Sequence, residues 1–204
     1  MKNIIFDFGG IILTVKMKEI VKKFTDSKEK QEFLLDNVVN SPEWIEYGLI
    51  DTGYITKEDF INLVNDRTNN IHKDLVEDFI NNYINHVYVD DKIIELIKNL
   101  KEQGYKLYLL SNTQKYSYDK FIKDIEYLFD GITLSFKEHL LKPYNAIYER
   151  LIDKYNLVPE ESLFIDDRED NMKTANKYGI KGRKVERNSL EDIKKVLKEY
   201  NIGE

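Results

Sequence analysis

Apolar residues along the chain fall into two rhythms. Short, nearly continuous runs open the sequence and recur in its second half: "IIFDFGGIIL" (4–13), "KLYLLS" (106–111), "GITLSF" (131–136), "SLFIDD" (162–167) and "GRKVE" (182–186). Runs of this length without alternation predict strands covered on both faces, as in a parallel sheet. Between the later runs, apolar positions recur every three or four residues. Ile93, Ile94, Ile97 and Leu100 predict a helix that stops at Gly104. Ile147, Leu151, Ile152 and Tyr155 predict another, with Pro143 suited to a first helical position. Ser189 and Asp192 form a capping-box variant ahead of Leu190, Ile193, Val196 and Leu197. Five strand-like runs with helices between them predict an α/β fold built on a doubly wound parallel sheet.

Residues 16–88 carry the second rhythm without the first. "MKEIVKKF", "KEKQEFLLDNVV", "TKEDFINLV" and "KDLVEDFINNYI" are amphipathic or nearly so, and no convincing strand interrupts them. The expected organisation is a core of residues 1–15 and 89–204 with an all-helical insertion at 16–88. "VYVDDK" then serves as the return linker. A length of 204 residues suits one domain with such an insertion. The Lys and Glu runs at 18–32 read as solvated helix faces.

Composition narrows the partners. A formal net charge of −6, with 37 acidic against 31 basic residues, argues against nucleic acid as a general partner. The absence of cysteine removes disulfide and thiolate chemistry. No apolar run reaches membrane-spanning length and the first strand starts almost at residue 1, so neither a span nor a signal peptide is expected. The expected setting is cytoplasmic, without membrane contact, and the oligomeric state has no signature in the chain.

One carboxylate stands out against this background. Asp7 lies inside the first apolar run and precedes Gly9 and Gly10. A turn residue is the bland explanation; the ends of the other strands supply a different one. The second run ends in Ser111 and Asn112, the fourth in Asp166 and Asp167, and Lys142 stands just before a helix start. Ligands of open α/β sheets bind beyond the carboxyl ends of the strands, where these residues converge. Three carboxylates at one edge repel unless a cation neutralises them. Mg²⁺, which takes carboxylates, water and substrate phosphate, suits them. Lys142 adds a fixed positive charge, Ser111 a hydroxyl donor, and the amides around Phe8, Gly9 and Gly10 a backbone cradle for an anion. Asp7 is then placed to attack phosphorus.

This ordered set resembles the haloacid dehalogenase-like hydrolase superfamily, in the subgroup with a helical cap inserted after the first motif. "FDFGGII", "LLSNT", "LKP" and "FIDDREDN" are similar to its four motifs in order, and "GLIDTGYITKEDF" to its cap phrase. The resemblance implies a Rossmann-like core and an aspartyl-phosphate formed on Asp7. It implies that Ser111 and Lys142, with Asn112 beside them, hold the phosphoryl group. Mg²⁺ would be held by Asp7, the Gly9 carbonyl and the fourth-motif acids, Asp167 directly and Asp166 directly or through water, with Asn171 orienting them. One position departs from the pattern. Most phosphatases of the family carry a second Asp two residues after the nucleophile as general acid and base; here it is Gly9. A branch resembling sugar-phosphate phosphatases shares this form.

The leading expectation is a Mg²⁺-dependent phosphatase of a small phosphorylated metabolite, a sugar phosphate being one candidate. The alternatives are a 2-haloacid dehalogenase, a phosphate-ligand-binding protein that has lost catalysis, and, more weakly, a β-phosphomutase. Trp44, Tyr47 and Tyr54 are aromatic candidates for the inner face of the cap. His72, His86 and His139 show no ligand spacing and receive no role.

Overall fold

The computed structural model describes residues 1–39 and 45–203. Its strands are β1 (Asn3–Phe6), β2 (Leu13–Thr14), β3 (Tyr88–Val89), β4 (Lys106–Ser111), β5 (Gly131–Leu134), β6 (Ser162–Asp166) and β7 (Lys181–Lys184). Five of them form one parallel sheet in the order β5-β4-β1-β6-β7. The chain builds outward from β1 to β4 and β5, then crosses back to lay β6 against the other side of β1. The β1–β6 boundary is therefore the topological switch point, where such sheets open a crevice beyond their carboxyl ends.

The longer helices are α1 (Lys28–Leu34), α2 (Ile45–Asp51), α3 (Lys57–Arg67), α4 (Lys73–Asn82), α5 (Asp91–Glu102), α6 (Asn145–Tyr155), α7 (Glu169–Lys177) and α8 (Leu190–Glu199). Both sheet faces are covered, which is why the strand runs are apolar without alternation. Ile4, Phe6, Leu107, Leu109, Leu163 and Ile165 share one core with Ile93 and Ile97 of α5 and Ile193 and Leu197 of α8. Ile5, Tyr108, Leu110 and Phe164 share the other with Ile147, Tyr148 and Leu151 of α6 and Met172 and Ala175 of α7. Ser189 caps α8 by accepting the Asp192 amide at 3.2 Å.

The helical insert joins the first of these cores. Leu34, Ile50, Phe60, Val64, Val76 and Phe79 are buried in the same apolar cluster as Ile4 and Phe6. Helix α3 starts at a reciprocal capping box between Thr56 and Asp59. Arg67 ties it to α2 through Glu46 at 2.6 Å.

Three local expectations are corrected. The first apolar run is not one strand: β1 ends at Phe6, and the Phe8 carbonyl accepts the amides of Ile12 and Leu13 at 2.9 and 2.8 Å. Pro143 does not open α6, which begins at Asn145 after Tyr144 as N-cap. The return segment is not a plain linker, because Tyr88 and Val89 form β3, antiparallel to β2. Asp90 then caps α5 by accepting the Lys92 amide at 2.9 Å. No helix among the described residues is long and apolar enough to cross a membrane.

Candidate active site

Asp7 follows β1 directly. Its amide donates to the Ile165 carbonyl at 3.0 Å, extending the β1–β6 pairing by one residue. This fixes the side chain at the switch point. Oδ1 accepts the Phe8 amide at 2.7 Å and faces Lys142 Nζ at 2.8 Å. Lys142 Nζ also donates to Asp166 Oδ2 at 2.7 Å, so one ammonium bridges two carboxylates. All three residues are buried, where an unpaired charge would be costly.

Asp166, the last residue of β6, has both oxygens engaged. Oδ2 takes Lys142 and the Asn171 amide, the latter at 2.7 Å, and Oδ1 takes the Arg168 amide at 2.8 Å. Asp167 is less engaged: its Oδ2 faces the exposed Arg187 at 3.3 Å. Asn171 Oδ1 is buried without a partner. Oxygens of Asp7, Asp166 and Asp167 lie within 4.8 Å of one another.

Electrostatics make the site short of positive charge. Burial pushes the Asp7 carboxyl up to about 7; Lys142 opposes this, while Asp166 and Asp167 add to it. Asp167 is raised by burial against Arg187, with Asp166 adding its repulsion. Burial disfavours the Lys142 ammonium, but the charges of Asp166 and Asp7 outweigh it and raise its pKa. Three crowded carboxylates facing two cations leave a deficit that an added divalent ion relieves. Its ligands would be hard oxygens, which are the donors present.

The two glycines differ sharply. Gly10 adopts φ +85°, and a Cβ there would stand 3.0 Å from both Arg187 Nε and Asp167 Oδ2. A Cβ on Gly9 would meet nothing within 4 Å. The Gly10 amide donates to the Leu13 carbonyl at 3.0 Å, so the expectation that it faces an anion is corrected. The Phe8 amide is likewise turned onto Asp7 itself.

Ser111 ends β4 beside β1 and is buried; its hydroxyl makes one long contact, 3.3 Å, to the Asn112 carbonyl. Asn112 brackets the Lys142 backbone, donating to its carbonyl at 2.9 Å and accepting its amide at 2.8 Å. The amide side chain thus positions the lysine from the edge of a neighbouring cavity.

A cavity of about 370 Å³ opens beside these groups. Asn112, Lys142, Pro143, Tyr144 and Arg168 line its sheet side, and Tyr47, Gly48, Leu49 and Asp51 of α2 its insert side. Two polar links hold the walls together. Ser135 Oγ donates to the Asp51 carbonyl at 2.6 Å, and Gln114 Nε2 donates to Asp51 Oδ1. Burial pushes the Asp51 carboxyl up to about 7, against the Gln114 hydrogen bond.

The structure thus gathers Asp7, Lys142, Asp166, Asp167 and Asn171 into one cluster, with Ser111 and Asn112 alongside. Of the aromatic candidates, Tyr47 lines the cavity. Tyr54 is exposed and stacks on His139, with centroids 5.1 Å apart. Trp44 lies outside the described residues. Arg187, Arg168, Gln114 and Asp51 were not singled out by the sequence. Asp51 sits inside the cap-like phrase, which was the available signal; the arginines had none.

Doubly wound sheets bind their ligands beyond the strand ends at the switch point, where the buried carboxylates and the lysine stand here. The family model for haloacid dehalogenase-like hydrolases matches residues 1–179, and the chain belongs to that family. It is 25% identical over 184 residues to a sesquiterpene phosphatase of Aspergillus oryzae, covering 89% of this chain and 88% of the relative. It is 24% identical over 196 residues to the D-ribitol-5-phosphate phosphatase of Bacteroides thetaiotaomicron, covering 88% and 89%. Its fold matches a family enzyme of Bacteroides thetaiotaomicron solved with magnesium and inorganic phosphate: TM-score 0.71, 22% identity, 95% and 98% of the two chains. It also matches the L-2-haloacid dehalogenase of Xanthobacter autotrophicus: TM-score 0.66, 13% identity, 100% and 85%.

Proposed function

We propose that the protein is a Mg²⁺-dependent phosphatase that hydrolyses a small phosphomonoester through an aspartyl-phosphate on Asp7. The buried Asp7–Lys142–Asp166 bridge at the switch point, with Asp167 beside it, carries this reading. The phosphatase relatives support it. The helices of residues 16–88 act as a cap over a core of 1–15 and 89–204.

Asp7 Oδ2 attacks phosphorus while Oδ1 stays fixed by the Phe8 amide and Lys142. The Asp7–phosphorus bond forms as the ester bond breaks, and the leaving oxygen takes a proton from water, because Gly9 carries no acid. Lys142 swings its positive charge between the carboxylates and the phosphoryl oxygens, and the Ser111 hydroxyl donates to the same group. Water then attacks phosphorus as the phosphorus–Asp7 oxygen bond breaks, the Asp7 carboxylate leaves, and the proton lost by the attacking water neutralises the hydroxide left by the first step. Asp7, the Gly9 carbonyl and Asp167 would hold Mg²⁺. Asp166 acts through water, since its oxygens are already engaged, and Asn171 holds it in place. The ion supplies the charge neutralisation that lets an anionic ester approach three carboxylates.

Hydrolysis of p-nitrophenyl phosphate with Mg²⁺, and its loss with chelator, is the expected result. Release of halide from 2-chloropropionate without phosphatase activity would assign the dehalogenase reading instead. Phosphate binding without either activity would leave a binding protein.

Binding of Mg²⁺ to the folded state alone must raise stability. At a hundredfold excess over its Kd the gain is about 2.7 kcal/mol, which shifts Tm by roughly 5–11 °C at this chain length. Asp167→Ala is expected to reduce the shift by more than half. Calorimetry checks it, and identical melting points across millimolar Mg²⁺ in the wild type would remove the metal site.

A further inference from the structure

The cavity beside Lys142 has charged groups of unequal standing. Lys142 is already held by two acids, and Arg168 is exposed at the edge, where solvent screens it. Asp51 belongs to α2 and closes the insert side of the same cavity. Neither Asp7, Asp166 nor Lys142 shares a hydrogen bond or ion pair with it. Gln114 fixes its Oδ1, and Ser135 fixes its backbone carbonyl at 2.6 Å. Among the described residues nothing donates to Oδ2. Asp51 is thus a carboxyl residue of the wall opposite Lys142, with one oxygen engaged by Gln114 and the other free to accept.

We infer that Asp51 selects the leaving group: it accepts hydrogen bonds from hydroxyls, or pairs with an ammonium, and excludes esters whose leaving group carries a second anion. The inference rests on the phosphatase reading and adds the chemistry of the substrate to it. Above pH 7, where the Asp51 carboxyl is ionised although burial raises it to about 7, it discriminates mainly by repulsion, because a second anion meets a like charge with no ion-pair partner among the described residues. Neutral polyol and amino-alcohol phosphates escape that repulsion and gain an acceptor. Tyr47, Leu49, Leu141, Pro143 and Tyr144 supply apolar contact for the carbon chain between the two ends.

A matched pair of esters isolates this effect. Glycerol 3-phosphate and 3-phosphoglycerate differ in one terminus, an alcohol against a carboxylate. The kcat/KM ratio within one protein cancels any general effect of a substitution. In the wild type, assayed well above pH 7 so that Asp51 is ionised, the alcohol is expected to be favoured by more than about tenfold. Asp51→Asn, which keeps an acceptor for Gln114, is expected to shrink the ratio to within about threefold. Asp51→Glu is expected to keep its direction. Circular dichroism establishes that each variant is folded, and Asp51→Glu provides the comparison if the amide variant is not. A wild type that cleaves p-nitrophenyl phosphate without favouring the alcohol overturns the inference alone, as does an unchanged ratio in folded Asp51→Asn. A wild type that cleaves none of the three esters overturns the phosphatase reading beneath it.

Discussion

Asp7→Asn is expected to abolish turnover, by roughly 10⁴-fold or more, while leaving the fold intact. Removing the atom that forms the covalent bond eliminates the pathway itself, and single losses of a nucleophile are of this order. The fold survives for a reason visible in the hydrogen bonds. An Asn side chain keeps the oxygen that accepts from Phe8 and Lys142. It also removes one of the buried charges that repel each other, since burial already pushes the Asp7 carboxyl up to about 7. Lys142 keeps Asp166 as a partner at 2.7 Å. Phosphate release measured beside circular dichroism decides it; a folded variant with near wild-type activity would sink the assignment.

Gly9 yields the second large effect. With no side-chain acid or base at this position, breakdown of the aspartyl-phosphate is expected to be the slow step for an activated ester. Nitrophenolate departs without a proton, whereas breakdown always needs an activated water. Stopped-flow mixing with p-nitrophenyl phosphate should show a burst near one equivalent per site, then a slower steady rate. Alkyl phosphates should show none, because their poor leaving groups slow the first step as well. Gly9→Asp should raise the steady rate, within the 10²–10⁴-fold that a positioned proton-transfer group typically contributes, and shrink the burst. The open space around a Gly9 Cβ makes this substitution feasible. At Gly10 the same change meets a left-handed backbone and two charged neighbours. Linear progress curves from the first turnover would overturn this assignment: either formation is still limiting, or another residue replaces the missing base.

The sheet and the acid cluster were legible for one physical reason. Asp7, Ser111, Asp166 and Asp167 stand at the ends of strands that are buried on both faces, so a polar residue there interrupts an apolar run. Asp7, Ser111 and Asp166 all announce themselves this way. What escaped notice depends on contacts between distant segments. The pairing of Leu13 with Val89 leaves no local pattern, and Arg187 meets Asp167 only because the chain after β7 returns across the strand ends. Asn112 shows the finer limit. Its place beside the lysine was legible, but its engagement with the Lys142 backbone depends on a loop conformation that no periodicity encodes. Asp51 was hidden by its company, since a carboxylate in a helix-rich, charged segment reads as one more solvated side chain.

The small ribbon of β2 and β3 has a consequence for how such a molecule can change. The chain enters the insert through Leu13–Thr14 and returns beside the same point at Tyr88–Val89, so to the core the whole insert is a hairpin loop. Closing a flexible loop twice as long costs only about 0.6 kcal/mol more. Length above the stem is therefore nearly free to drift, while the strand ends below it keep their spacing. Beyond the stem and the shared apolar core, the contacts of α2 with Gln114 and Ser135 tie the insert to the site's edge. Exchange of those few residues is the shortest route by which one hydrolytic machine could acquire a different diet.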